Sequence, residues 1–179
     1  MTPEMKKIWK IRAILVSTLA LIAAAIWYFF IYETQEDKIR KSFDTLIRCT
    51  SKTGNKGMID EVADVRGMER VFAPEIELKG IPYASGKYKA KELALRVMQG
   101  RKMINSLNLS VHDLQITISP DKKSAETEFT LYARGNGGKA GSGFQEAFDC
   151  TAKLIKDSEN KWLFHTFSGK PVVTRSQSK

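Results

Sequence analysis

The chain has 179 residues, is 42% hydrophobic and carries 29 Lys+Arg against 20 Asp+Glu, a formal charge of +9. The basic residues are spread along the chain and no basic run is interleaved with aromatics, which argues against a nucleic-acid reader. The only cysteines, Cys49 and Cys150, lie far apart with neither CxxC spacing nor a Cys/His cluster, which excludes a zinc site of the usual kind, and no motif calls for a cofactor.

Residues 1–12 form a basic flank with Lys6, Lys7, Lys10 and Arg12. Residues 13–32, AILVSTLALIAAAIWYFFIY, then run without a charge, a Gly or a Pro. A hydrocarbon core about 30 Å thick needs about twenty apolar residues of helix, so this stretch is expected to be a transmembrane helix and signal anchor. Trp27, Tyr28, Phe29, Phe30 and Tyr32 crowd its far end, where aromatic rings sit at the head groups. The alternative is a signal peptide cleaved near Ala23-Ala24-Ala25, which leaves a secreted domain. Basic residues stand closer to the span on its N-terminal side, so the soluble domain is expected outside the cytoplasm. Four of the Lys+Arg and one Asp+Glu precede residue 33, leaving +6 on a remainder long enough for one cored domain.

That domain is expected over residues 33–173. Thr34 with Asp37 is a capping-box variant, and Ile39, Phe43, Leu46, Ile47 and Thr50 share one helical face. No Gly or Pro separates this helix from the span, so one rod or two helices in succession both fit. Ser51–Gly57 is a turn, a second helix carries Ile59, Val62 and Ala63, and Glu75–Lys79 alternates as a strand. A long helix is expected over Lys89–Leu107, with Ala90, Leu93, Val97, Gly100, Ile104 and Leu107 on one stripe. Gly100 within it suggests a close approach to a neighbour, and Lys91, Arg96, Arg101 and Lys102 read as solvated charges.

The period then changes to two. Val111–Ser119, Ala125–Arg134, Phe144–Ile155 and Lys161–Phe167 read as antiparallel strands with one covered face. Gly135–Gly143 joins two strands and so reads as a hairpin loop; a phosphate cradle would lead from a strand into a helix. Residues 174–179 form a polar tail, expected to be disordered.

Helices first, a short strand, a long helix and a final meander resemble the nuclear transport factor 2-like (SnoaL-like) superfamily. VFAPEIELKG resembles that superfamily's passage into its first strand, GKYKAKELALRVM its entry into the long helix, and DSENKWLF its last hairpin. The resemblance implies an α+β, cone-shaped fold with helices packed on a curved antiparallel sheet. It also implies two kinds of role, enzyme or binding scaffold. In layout the chain is similar to type IV secretion assembly proteins, although their Asn-Pro-x-Gly turn does not occur here.

The first expectation is therefore a non-enzymatic, single-span scaffold or interaction module of an envelope assembly, binding a protein partner or a second copy. The alternative is an anchored small-molecule binder or SnoaL-like enzyme using the cone. For that alternative His165, sharing a strand face with Leu163 and Phe167, is the candidate base, and Tyr83, Tyr88, Phe129 and His165 are the candidate pocket residues. No metal ligand set is expected. Cys49 and Cys150 are either a disulfide or two buried thiols.

Overall fold

The first helix of the domain starts at a reciprocal cap. Thr34 Oγ1 accepts the Asp37 backbone N–H at 3.1 Å, and the Thr34 backbone N–H donates to the Asp37 carboxylate at 3.1 Å. This cap satisfies donors that a helix start leaves open, and helix α1 spans Gln35–Thr50. Residues 33 and 34 are not helical, so of the two arrangements compatible with the sequence the fresh start is the one observed.

The computed structural model describes residues 16–24, 27, 33–54, 57–81, 84–137 and 143–172. Two compact units divide the chain, residues 1–37 and 38–179. In the first, residues 16–24 are helical. Among the described residues no helix is long and apolar enough to cross a membrane, and half of the expected span at 13–32 lies outside them.

In the second unit, α1 is followed by α2 (Met58–Val71), β1 (Phe72–Lys79), β2 (Gly86–Lys89), α3 (Ala90–Lys102), β3 (Ile104–Ile118), β4 (Ser124–Gly137), β5 (Gly143–Lys156) and β6 (Trp162–Pro171). The strands form one sheet in the order β2-β1-β6-β5-β4-β3. All neighbours are antiparallel except β1 and β6, which run parallel. Pro74 lies where β1 loses register with β6, between Phe72 and Glu77, a place where a missing ladder donor is tolerated.

The inner face follows the alternation read from the sequence in β4 and β5. Ala125, Thr127, Phe129 and Ala133 are buried, as are Cys150, Ala152 and Leu154, while Glu126, Glu128, Asp149, Thr151 and Lys153 are exposed. Against this face α1 sets Ile39 and Phe43, α2 sets Met68 and Val71, and α3 sets Leu93, Ala94 and Met98. Ile39, Met68, Ile76, Leu154, Trp162 and Phe164 are at most 2% exposed, and each side chain of this kind contributes about 1.5–3 kcal/mol by burial.

Two expectations are corrected. The long helix ends at Lys102 and β3 begins at Ile104, so Ile104 and Leu107 are strand residues; Leu107 exchanges backbone hydrogen bonds with Lys52 at 2.6 and 2.9 Å. Gly100 faces open space, with nothing within 4 Å of an added Cβ. Within the helices the close approach is at Gly67 in α2, where an added Cβ would overlap Cys49 Sγ of α1.

Candidate functional site

Between the helices and the inner face of the sheet lies a cavity of about 260 Å³. Phe43, Leu46, Ile47 and Thr50 of α1 line one side, and Leu93 and Val97 of α3 another. The sheet contributes Phe72, Ile76 and Leu78 from β1, Leu109 and Val111 from β3, Phe129 and Leu131 from β4, and Phe167 from β6. Leu46, Ile47, Val97, Leu109, Val111, Leu131 and Phe167 are half-buried, so the cavity is open to solvent.

The lining is chemically uniform. Its one polar side chain is Thr50, whose hydroxyl contacts Met68 Sδ at 3.8 Å, and among the described residues no titratable side chain lines it. Aromatic rings build one wall: Phe43 meets Phe129 and Phe164 edge-on, with 4.9 Å between centroids in each case, and Phe129 meets Phe167 at 5.8 Å. Edge-to-face packing of this kind adds about 0.5–1.5 kcal/mol per pair to simple burial.

A β-bulge decides where His165 points. Leu154 pairs with Phe164 and Lys153 with Thr166, so His165 is the extra residue on β6. The bulge reverses strand parity, which turns both Phe164 and Phe167 inward and leaves His165 exposed, its Nδ1 3.2 Å from Thr166 Oγ1. The strand face shared by Leu163, His165 and Phe167 in simple alternation does not form, and His165 does not line the cavity.

Of the other sequence-derived residues, Phe129 lines the cavity and Tyr88 does not. Tyr88 sits on the short strand β2 with the Arg96 guanidinium 5.0 Å from its ring centroid. Tyr83 lies outside the described residues. Cys49 and Cys150 are buried and not joined in a disulfide, the first lying against Gly67 and the second against Gly169. Burial pushes the Cys150 thiol up to about 11, so it is neutral at physiological pH.

Sequence reasoning missed one buried polar centre. Arg101, read as a solvated charge, is 4% exposed and pairs with Asp64 of α2 at 3.0 Å. The same Nη1 donates to the Cys49 carbonyl at the end of α1 at 2.7 Å, where a cation also complements the helix dipole. Lys52 Nζ in turn donates to the Arg101 and Ile104 carbonyls at 3.1 and 2.6 Å. This junction ties three helices together behind the cavity, and the sequence signal for it was an Arg placed beside inward-facing Met98 and Leu93.

The opposite face of the sheet is polar. Across it, His112, Thr130, Asp149 and Lys170 are in register on four successive strands, and a shallow groove holds Asp113, Glu128 and Asp149. No group of three or more His, Cys, Asp or Glu among the described residues could hold a metal ion.

No protein-family model matches the sequence, and no curated protein matches it. Solved structures do match. A dehydratase of the nuclear transport factor 2-like family from Streptomyces avermitilis is 8% identical with a TM-score of 0.61, over 78% of this chain and 97% of its own. The fold is nuclear transport factor 2-like. A hexachlorocyclohexane dehydrochlorinase from Novosphingobium barchaimii is similar at 11% identity and TM-score 0.60, over 80% of this chain and 94% of that one. The hub of S. rosetta CaMKII is similar at 12% identity and TM-score 0.58, over 75% and 95%. At these identities the likeness concerns the fold, which carries enzymes, binders and assembly hubs alike.

Proposed function

We propose that the chain is a membrane-anchored, non-catalytic binding module whose nuclear transport factor 2-like domain takes a small apolar molecule into its cavity. The observation that carries this reading is the cavity itself, about 260 Å³ lined by apolar side chains with no acid or base among the described lining residues. General acid–base work needs a titratable group within hydrogen-bond reach of the reacting atoms, and this wall offers none. A dry apolar cavity of about 150 Å³ suffices for benzene, so the space here suits a larger ring system or a short acyl chain. The apolar run at 13–32 supports anchoring, with the domain outside the cytoplasm. A fold shared with an assembly hub supports the further role of scaffold or self-associating module.

Binding is tested by titrating the detergent-solubilised chain with a fluorescent naphthylamine probe and displacing it with short fatty acids. Leu131→Trp, which fills the cavity, is expected to abolish probe binding, and Tyr132→Ala on the outer face to leave it unchanged. A folded wild-type protein that binds neither probe nor acyl chain, or a Leu131→Trp protein that binds as well as wild type, refutes the reading. For the anchor, a reporter fused after Lys179 should be active only outside the cytoplasm, and a mature N-terminus beginning near Ile26 would overturn it.

A further inference from the structure

Of the large apolar side chains exposed among the described residues of the domain, four lie on α2 and α3, Met58 82% exposed, Ile59 86%, Val62 47% and Leu95 46%, while Met103, Tyr132 and Val172 lie outside these helices. Met58, Val62 and Leu95 do not project singly. With Val65 and Met98 they floor a groove of about 360 Å³ between α2 and α3. Apolar surface gathered in one place and rimmed by charge marks an interaction site, and methionine suits such a surface because its side chain repacks easily.

The charges on the groove identify what fits it. Glu61 and Glu69 stand along the α2 rim with Arg66 between them, and Lys91 and Lys102 stand along the α3 rim. The helices run antiparallel, since Glu61 reaches Lys102 at 3.8 Å and Asp64 reaches Arg101 at 3.0 Å. A two-fold axis lying in the interface along the groove exchanges left and right while keeping height. It therefore lays the α2 rim of one copy over the α3 rim of the other, with Glu61 facing Lys102 and Glu69 approaching the Lys91 end. The same operation stacks Met58, Val62 and Leu95 of both copies into one apolar centre. Such a surface is self-complementary, as an isologous contact requires. An acidic lipid surface fits less well, because the two glutamates would face it.

The geometry points to a second copy of this chain as the occupant of the α2/α3 groove, forming a two-fold dimer through the helical layer. This inference does not depend on the cavity, whose lining shares no residue with the groove.

The test uses the full chain in detergent, with sedimentation velocity across the micromolar range. The wild type is expected to dimerise, and Leu95→Glu to weaken the dimer by about tenfold or more, which is ~1.4 kcal/mol or more. Reversing one rim, Glu61→Lys with Glu69→Lys, should weaken it similarly. Adding Lys91→Glu and Lys102→Glu should restore it, a recovery that a merely destabilised fold would not show. Tyr132→Glu on the outer sheet face should leave association unchanged. A monomeric wild type, a dimer indifferent to Leu95→Glu, loss of the dimer through Tyr132→Glu, or a four-site variant no tighter than the two-site one would each overturn the proposal.

Discussion

Replacing Gly67 by alanine tests the packing of α1 on α2 with a single methyl group. The new Cβ would overlap Cys49 Sγ, and Cys49 is 1% exposed, so the sulfur has nowhere to go. The backbone cannot retreat cheaply either, because the Cys49 carbonyl is held by Arg101 at 2.7 Å. Overpacking a tight core costs about 1–3 kcal/mol, and this site belongs near the top of that range. Alanine in place of a helical glycine recovers about 1 kcal/mol, leaving a net loss of about 2 kcal/mol. For a chain of this size that lowers the midpoint of thermal unfolding by about 4–8 °C, measurable by circular dichroism in detergent. Cys49→Ala alone removes one buried heavy atom and should cost about 1 kcal/mol. In Cys49→Ala/Gly67→Ala the alanine methyl occupies the space the sulfur left, so the double variant should melt above Gly67→Ala. A Gly67→Ala protein as stable as wild type, or a double variant whose losses simply add, would refute the close approach. Because α1 carries Phe43, Leu46, Ile47 and Thr50 of the cavity wall, Gly67→Ala should also weaken probe binding, and the double variant should recover it.

Three further outcomes are expected. Asp64→Asn leaves the Arg101 charge buried without its counter-charge and should cost about 3–5 kcal/mol, whereas Asp64→Leu/Arg101→Met should recover most of the loss; equal melting of the single and double variants would contradict this. His165→Ala should change stability by less than about 0.5 kcal/mol and leave probe binding intact, because the side chain is exposed, and deletion of His165, the extra residue of the bulge, leaves Phe164 and Phe167 two positions apart on one face of a regular strand and should also preserve binding; loss of binding on deletion would contradict the bulge assignment. The raised Cys150 thiol favours the protonated form in the folded state, so its contribution is complete below the ordinary thiol value of 9.0 and is lost as pH climbs towards about 11. Unfolding midpoints should therefore fall over that window less steeply in Cys150→Ala than in wild type, and native Cys150 should resist iodoacetamide at neutral pH.

What the sequence made legible was whatever a local period encodes. The inward faces of β4 and β5, the cap at Thr34 and the order of helices and strands all follow from alternation, helical spacing and one hydrogen-bonding side chain. The misreadings arise where a period is interrupted. The stripe through Ala90, Leu93 and Val97 continues by coincidence into Ile104 and Leu107, which instead pair with β4, opposite Gly137 and Gly135, and with Lys52, all distant in sequence. The strand β2 has four residues, too few for any pattern, and exists because β1 offers Glu75–Leu78 as a template. For Arg101 the one local sign of burial is its place beside Met98 and Leu93, and its partner Asp64 and its acceptor on Cys49 come from two other helices.

The bulge at His165 links these observations to the proposed function. In an uninterrupted β6 only one of Phe164 and Phe167 could face inward, and the residue sharing the face of Phe167 would be a histidine. With one extra residue, Ala152 pairs with Phe167 and Leu154 with Phe164, so both rings join Phe43 and Phe129 on the inner side. The step that completes the aromatic wall is thus the same step that expels the one imidazole near it. A cavity made larger in aromatic surface by a single backbone irregularity, with no titratable side chain among its described lining residues, is arranged to receive an apolar molecule.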